Sequence, residues 1–193
     1  MDATTAQRFG QREGARTAAA GYDAAEAATP AGAEMGDRVS RGTVAGVAAG
    51  LVFLVANMLW ATKSDLPAVA PLIDISTIFN FDDVANPTTE NMFIGLVTHL
   101  TLSASFGVAF ALLVPLLRNM RMLAAGAVVF GVALYLVNFQ ILGRTAFPWF
   151  QEGPDQLFEL VAHAGFGLLL VPFFLGRRFT AMRGPRATRA SRA

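Results

Sequence analysis

Gly42-TVAGVAAGLVFLVANMLWA-Thr62 is an unbroken apolar run that carries one amide, Asn57, and no charge. About 20 such residues are needed to carry a helix across the hydrocarbon core of a bilayer. No water is available there to satisfy a backbone, so the run must be helical. Three further runs read the same way: Met92–Leu117, Met122–Gly143 and Leu157–Gly176. Only the last holds an acid, Glu159, near its start. The sequence therefore predicts an all-α integral membrane four-helix bundle. Pro115 and Pro172 stand near the ends of the second and fourth runs, where a kink is tolerated.

Composition agrees with this reading and excludes several chemistries. Hydrophobic residues make up 54% of the 193 positions and charged residues 15%, against about 25% charged in a soluble domain. There is no cysteine, which removes disulfides, thiolate zinc, iron–sulfur clusters and covalent haem attachment. Two histidines are too few for a His-rich metal centre. The net charge of +1 gives no reason to expect a nucleic-acid partner. Residues 1–41 lack the apolar core of a signal peptide. Their Ala, Gly, Thr and Glu composition reads as a disordered cytoplasmic tail, and residues 177–193 read as a basic cytoplasmic tail. No P-loop, dinucleotide fingerprint, zincin motif or nucleophile elbow occurs, which argues against an enzyme.

Arginine sets the direction. Arg38, Arg41, Arg118, Arg121, Arg177 and Arg178 flank one set of span ends, whereas the other two loops hold only Lys63 and Arg144. The positive-inside rule puts both termini in the cytoplasm. Trp60, Phe147, Trp149 and Phe150 then form an aromatic belt on the outer side.

The spans also pair. Gly50-LVFLVA-Asn57 aligns without gaps on Gly131-VALYLV-Asn138, and each Asn is followed six residues later by a base, Lys63 or Arg144. A Leu-Leu-Val-Pro block recurs at Leu112–Pro115 and Leu169–Pro172. These matches predict two tandem helical hairpins, a parallel repeat about the membrane normal.

Small residues mark the packing faces. Gly42, Gly46 and Gly50 write GxxxG twice, Gly107 lies on the stripe of His99 and Ser103, and Gly167 on that of Glu159 and His163. Such stripes let helix backbones approach closely, and Gly131 takes the place of Gly50 in the third span. The polar groups sit on these stripes. At 1.5 Å per residue, Asn57 and Asn138 fall roughly 9 Å below the outer loops and His99 and His163 about 12 Å. One polar side chain per helix thus enters a layer in the outer half. Glu159 stands one turn above His163, and Gln140, Thr98 and Thr101 are within reach of joining.

That layer has one structural and three functional readings. It is a hydrogen-bonded plug, a quinone, lipid or small-solute pocket, a site where His99 and His163 hold a b-type haem, or a proton path using His163 with Glu159. The lead reading is a non-enzymatic accessory subunit or small-ligand binder centred on Asn57, His99, Asn138, His163 and Glu159. The haem electron carrier and the transporter stand as alternatives. Lipid is the certain partner, with other membrane subunits or a second copy as further ones. The long loop 63–91 contains an apolar piece, Leu72–Phe79, suited to a short helix lying over the bundle.

The run Leu136-VNFQILGRTAFPW-Phe150, together with one His in each of the second and fourth spans, resembles uncharacterised four-helix inner-membrane proteins of actinobacteria. The resemblance covers about residues 42–176. It implies a fold and a place in the bacterial inner membrane, and it carries no activity and no functional residues.

The orientation is checked by reporter fusions. Alkaline phosphatase inserted in loop 63–91 should be active and the same enzyme fused to the C-terminus inactive, with a fluorescent protein giving the reverse. An active C-terminal phosphatase would overturn the arrangement.

Overall fold

The computed structural model describes residues 31–80 and 86–175. The described residues are helices joined by short turns, without strands, and form a bundle of four long apolar helices. The chain is a membrane protein: four helices are long and apolar enough to cross a bilayer, at Gly32–Lys63, Thr89–Leu116, Met120–Thr145 and Gln156–Phe174. It separates into two compact units at Asp37. Of the first, only residues 31–37 are described, and they form the opening turns of a helix.

Helix α1 runs Ala31–Lys63. It begins eleven residues before Gly42, so part of the expected tail (31–41) is helix. No proline separates that stretch from the span. Residues 1–30 and 176–193, which include the rest of both expected tails, lie outside the described residues. At its far end α1 stops at Asp65, whose φ of 58° is left-handed. The Leu66 N–H there bonds back to the Ala61 carbonyl at 3.0 Å, a closure typical of helix C-termini.

Loop 63–91 contains the expected short helix, α2 (Ala70–Asn80). Its inward face buries Leu72, Ile73, Ser76 and Thr77. The two hydroxyls bond to the carbonyls of Ile73 and Asp74, each at 2.6 Å, so neither is buried unpaired. Helix α3 (Thr89–Leu113) starts on the Thr88 side chain and ends in a 3-10 turn at Pro115. Helix α4 (Met120–Tyr135) starts on Asn119. It continues as a π-helical segment, Leu136–Leu142, and a last turn, Gly143–Thr145. After one short helix, α5 (Trp149–Glu152), Asp155 caps α6 (Gln156–Leu170), which also closes in a 3-10 turn at Pro172. Each cap satisfies a backbone N–H that would otherwise be orphaned.

Glycine sets the helix contacts. A Cβ on Gly46 would strike the Ser103 carbonyl and lie 3.0 Å from the Gly107 Cα; one on Gly107 would strike the Gly42 carbonyl. Gly50 faces Ser103 and His99. In the second pair, Gly131 meets the His163 carbonyl with Ala164 at 3.0 Å, and Gly167 meets the Ala127 carbonyl. By contact, then, Gly46 corresponds to Gly131 and Ser103 to His163. The ungapped alignment pairs Gly131 with Gly50 instead, one helical turn away. Aromatic contacts close the ring of helices: Phe53 of α1 on Phe166 of α6, and Phe110 of α3 on Phe130 of α4.

The two ends of the bundle differ. Toward the arginine end it is a dry core of Phe110, Leu123, Ala127, Leu170 and Phe174. Toward the α2 end the interior is aromatic and apolar with a few buried polar side chains, His99, Ser103, Glu159 and His163 among them. Helix α2 is seated there through Gly95 of α3, where a Cβ would overlap the Leu72 carbonyl.

Overpacking a tight site costs about 1–3 kcal/mol. Gly46→Ala should therefore lower the melting temperature of the purified protein, as should Gly131→Ala. Gly165→Ala, which meets nothing within 4 Å, should be neutral or raise it. Equal effects at Gly46 and Gly165 would refute the close-packing account.

Candidate functional site: a polar cleft under the loop helix

The five residues proposed as a polar centre meet in one place. Asn57, His99, Asn138, Glu159 and His163 all line a partly enclosed cleft of about 250 Å³ in the α2 half of the bundle. That is about eight water molecules' worth of liquid volume. Helix α2 contributes Ala70, Pro71, Asp74, Ile75 and Ile78 to its wall, and the segment around α5 contributes Phe147, Trp149 and Phe150.

Each imidazole is held by a backbone carbonyl. His99 is 7% exposed, and its Nε2 donates to the Gly50 carbonyl across the helix pair at 2.9 Å. The contact exists because Gly50 has no side chain to cover that carbonyl. His163, also 7% exposed, donates Nδ1–H to the Glu159 carbonyl one turn earlier on α6 at 2.8 Å. Each bond places the proton on the donating nitrogen and leaves the other as an acceptor. Aromatic rings pack around His163: Phe53 at 4.9 Å, Phe139 at 5.5 Å and Tyr135 at 6.0 Å between centroids.

The amides are less tied. Asn57 donates Nδ2 to Phe53 on its own helix at 3.1 Å, while the half-buried Asn138 side chain has no hydrogen bond among the described residues. Asn138 lies in the π-helical segment, where one extra residue per turn re-aims side chains; such segments recur at functional sites. The Gly143 N–H closes the wide turn on the Asn138 carbonyl. The neighbouring Phe139 carbonyl receives the side-chain amide of Gln151 from α5. Beside it, Arg144 donates to Gln140, Gln140 to the Tyr135 hydroxyl at 2.9 Å, and that hydroxyl to Gln156 at 3.0 Å. Gln140 thus belongs to this clasp between α4 and α6 and not to the polar layer. Thr101 bonds back to Val97 on an exposed face.

A b-type haem between the two histidines does not fit. The ring of Phe53 packs on both imidazoles, 5.9 Å from His99 and 4.9 Å from His163. His99 has its Nε2 committed to Gly50. The cleft of about 250 Å³ is also smaller than pockets for drug-sized ligands, roughly 300 Å³ and up, and a haem is larger still. Among the described residues no three His, Asp or Glu side chains gather as a metal site.

No family model, curated protein or solved structure matches the chain. The site therefore rests on its own geometry.

Sequence reasoning placed Ser103 on the His99 stripe and Trp149 in the aromatic belt without assigning either to the site, and it missed Asp74 and Phe53. Asp74 carried no such signal, because nothing in an isolated loop helix says which way it faces.

Burial raises the Asp74 carboxyl from 3.8 to about 6. A carboxyl raised on folding costs stability once pH exceeds its unfolded value, and the cost is complete above the folded one. Asp74→Asn should therefore raise the melting temperature above about pH 7 and leave it unchanged near pH 3. A variant with the same advantage at both pH values would show that Asp74 is not desolvated.

Proposed function

We propose that this chain is a non-enzymatic, multi-pass protein of the bacterial inner membrane that binds a small ligand in the cleft beneath α2. Both termini are cytoplasmic in this reading, so the cleft lies in the outer half. Membership among the uncharacterised four-helix proteins of actinobacteria belongs to the same proposal and is supported by the run Leu136–Phe150. Two tandem hairpins as copies of one unit also belong to it, supported by the matched glycine contacts at Gly46 and Gly131.

The observation that carries the binding role is the cleft itself. A layer that only glued helices together would pair its own members and close up. Here four helices bring polar groups to a cavity, and the Asn138 amide is unpaired among the described residues. Ligand sites are concave and mostly apolar, with a few convergent polar groups, and this one matches. The apolar core toward the arginine end favours a binder over a transporter, because among the described residues its buried members are all apolar.

The test is native mass spectrometry of the protein in nanodiscs after exposure to a small-molecule extract of bacterial cells. One bound non-lipid molecule per chain is expected. Asn57→Phe, which fills the cleft, should remove it while leaving the melting temperature within a few degrees. Wild-type protein that never retains a molecule, or an Asn57→Phe variant that retains it fully, would overturn the proposal.

A further inference from the structure

The polar groups of the cleft are unbalanced in charge and in hydrogen-bonding sense. Three acidic residues line it, Asp74, Asp155 and Glu159, and among the described residues no lysine or arginine does. Hydrogens are scarce as well. Asn57 gives one of its two amide hydrogens to Phe53, His99 gives Nε2–H to Gly50, and His163 gives Nδ1–H to the Glu159 carbonyl. The ring atoms left over, His99 Nδ1 and His163 Nε2, are acceptors, and the Asn57 and Asn138 amides keep neutral donors and acceptors but no charge. Among the described residues one buried donor at the wall is unmatched, the indole N–H of Trp149.

Glu159 is the centre of the imbalance. It is 5% exposed and lines the cleft. No hydrogen bond from a described residue reaches its carboxyl. The His163 Nδ1 lies 3.6 Å from Oε2, but its hydrogen is already on the Glu159 carbonyl. A carboxylate inside a membrane bundle is costly unless a counter-charge answers it. The remaining wall is aromatic, with Phe53, Trp60, Phe139, Trp149 and Phe150 around the same space. Aromatic faces attract ammonium groups and have no comparable attraction for anions. A quinone would present carbonyl acceptors to a wall that is already acceptor-rich.

We infer that the ligand is a small organic ammonium ion, held with its charged nitrogen against Glu159 and its body on the aromatic wall. The Trp149 N–H is left for an acceptor atom elsewhere on the ligand. This rests on the cleft being a binding site, and it names the class of molecule.

Both tryptophans of the chain line the cleft, so intrinsic fluorescence reports on it directly. The probes are benzylammonium, benzyl alcohol and benzoate, which share a ring and differ in charge. Titrated into the nanodisc-held protein, benzylammonium should bind at least about tenfold more tightly than benzyl alcohol, and benzoate should not bind. Glu159→Gln should erase most of that preference without weakening benzyl alcohol. Asp74→Asn, outside the spans, should lower it by a smaller factor and serves if the Glu159 variant does not fold. Equal binding of amine and alcohol by the wild-type protein would overturn the cation inference and leave the cleft a binding site. No response to any probe would also overturn it, and the mass-spectrometric experiment then decides separately whether the cleft binds anything.

Discussion

Where Gly46 meets the Ser103 carbonyl and Gly131 meets the His163 carbonyl, two pairs of helix backbones touch with no side chain between them. In hydrocarbon the helices gain nothing by hiding apolar surface, because lipid is as apolar as leucine. Association rests on close packing and on hydrogen bonds between helices. Backbone touches backbone only where the side chains are absent. The glycine contacts therefore fix how the hairpins close. They also fix where the hairpins cannot close. Beyond Gly50 the inward residues of α1 are Phe53, Asn57 and Trp60, and beyond Gly131 those of α4 are Tyr135, Asn138 and Phe139. Large rings hold the backbones apart at that end, and the cleft is the space between them.

The same contacts explain what the sequence disclosed and what it hid. Spans, composition and glycine stripes follow from one-dimensional periodicity, and the helices lie close to where the apolar runs put them. The gathering of Asn57, His99, Asn138, Glu159 and His163 was legible too, because depth along a helix is countable. Register between helices was not. The Gly50–Gly131 alignment rests on residue identity, whereas packing pairs Gly46 with Gly131. A shift of one turn leaves the stripe on the same face, so sequence periodicity cannot detect it. The shift matters chemically. It sets Ser103 opposite His163 in the two hairpins, and so sets His99 opposite Glu159. The π-helical segment at Leu136–Leu142 was equally hidden: the Phe139 carbonyl within it is met by Gln151 of α5, a contact that periodicity along one helix does not report.

The α2 end is built to hold its shape. Helix α2 sits on α3 through the Gly95–Leu72 contact. The Arg144–Gln140–Tyr135–Gln156 clasp ties α4 to α6 at the same level. Stacked rings, Trp60 on Phe158 at 4.5 Å and Trp149 on Phe150 at 3.6 Å, add aromatic packing around the rim. A site of this kind needs its walls fixed before a ligand arrives, since ordering them afterwards would subtract from affinity. Asp74 is the exception. It stands on the covering helix in a position that burial makes unfavourable for its charge, and stability alone gives no reason to keep it there.

The bonds of the two histidines favour a site over glue. In a plug that exists only to join helices, the lowest-energy arrangement pairs the imidazoles and amides with one another, because an unmatched polar group in a membrane interior is costly. Neither histidine is bonded to an asparagine here. Each is turned instead to a main-chain carbonyl, Gly50 in one hairpin and Glu159 in the other. Those bonds spend the hydrogens and fix the tautomers. What faces the cleft is rich in lone pairs and carboxyls, and its unmatched donors among the described residues, the Asn138 amide and the Trp149 N–H, carry no charge to answer Glu159. A counter-charge and further donors must come from outside the set. Water can supply the donors, but water gains nothing from the aromatic wall that fills the rest of the cleft. A molecule with a donor cation and an apolar body satisfies both halves of the lining at once.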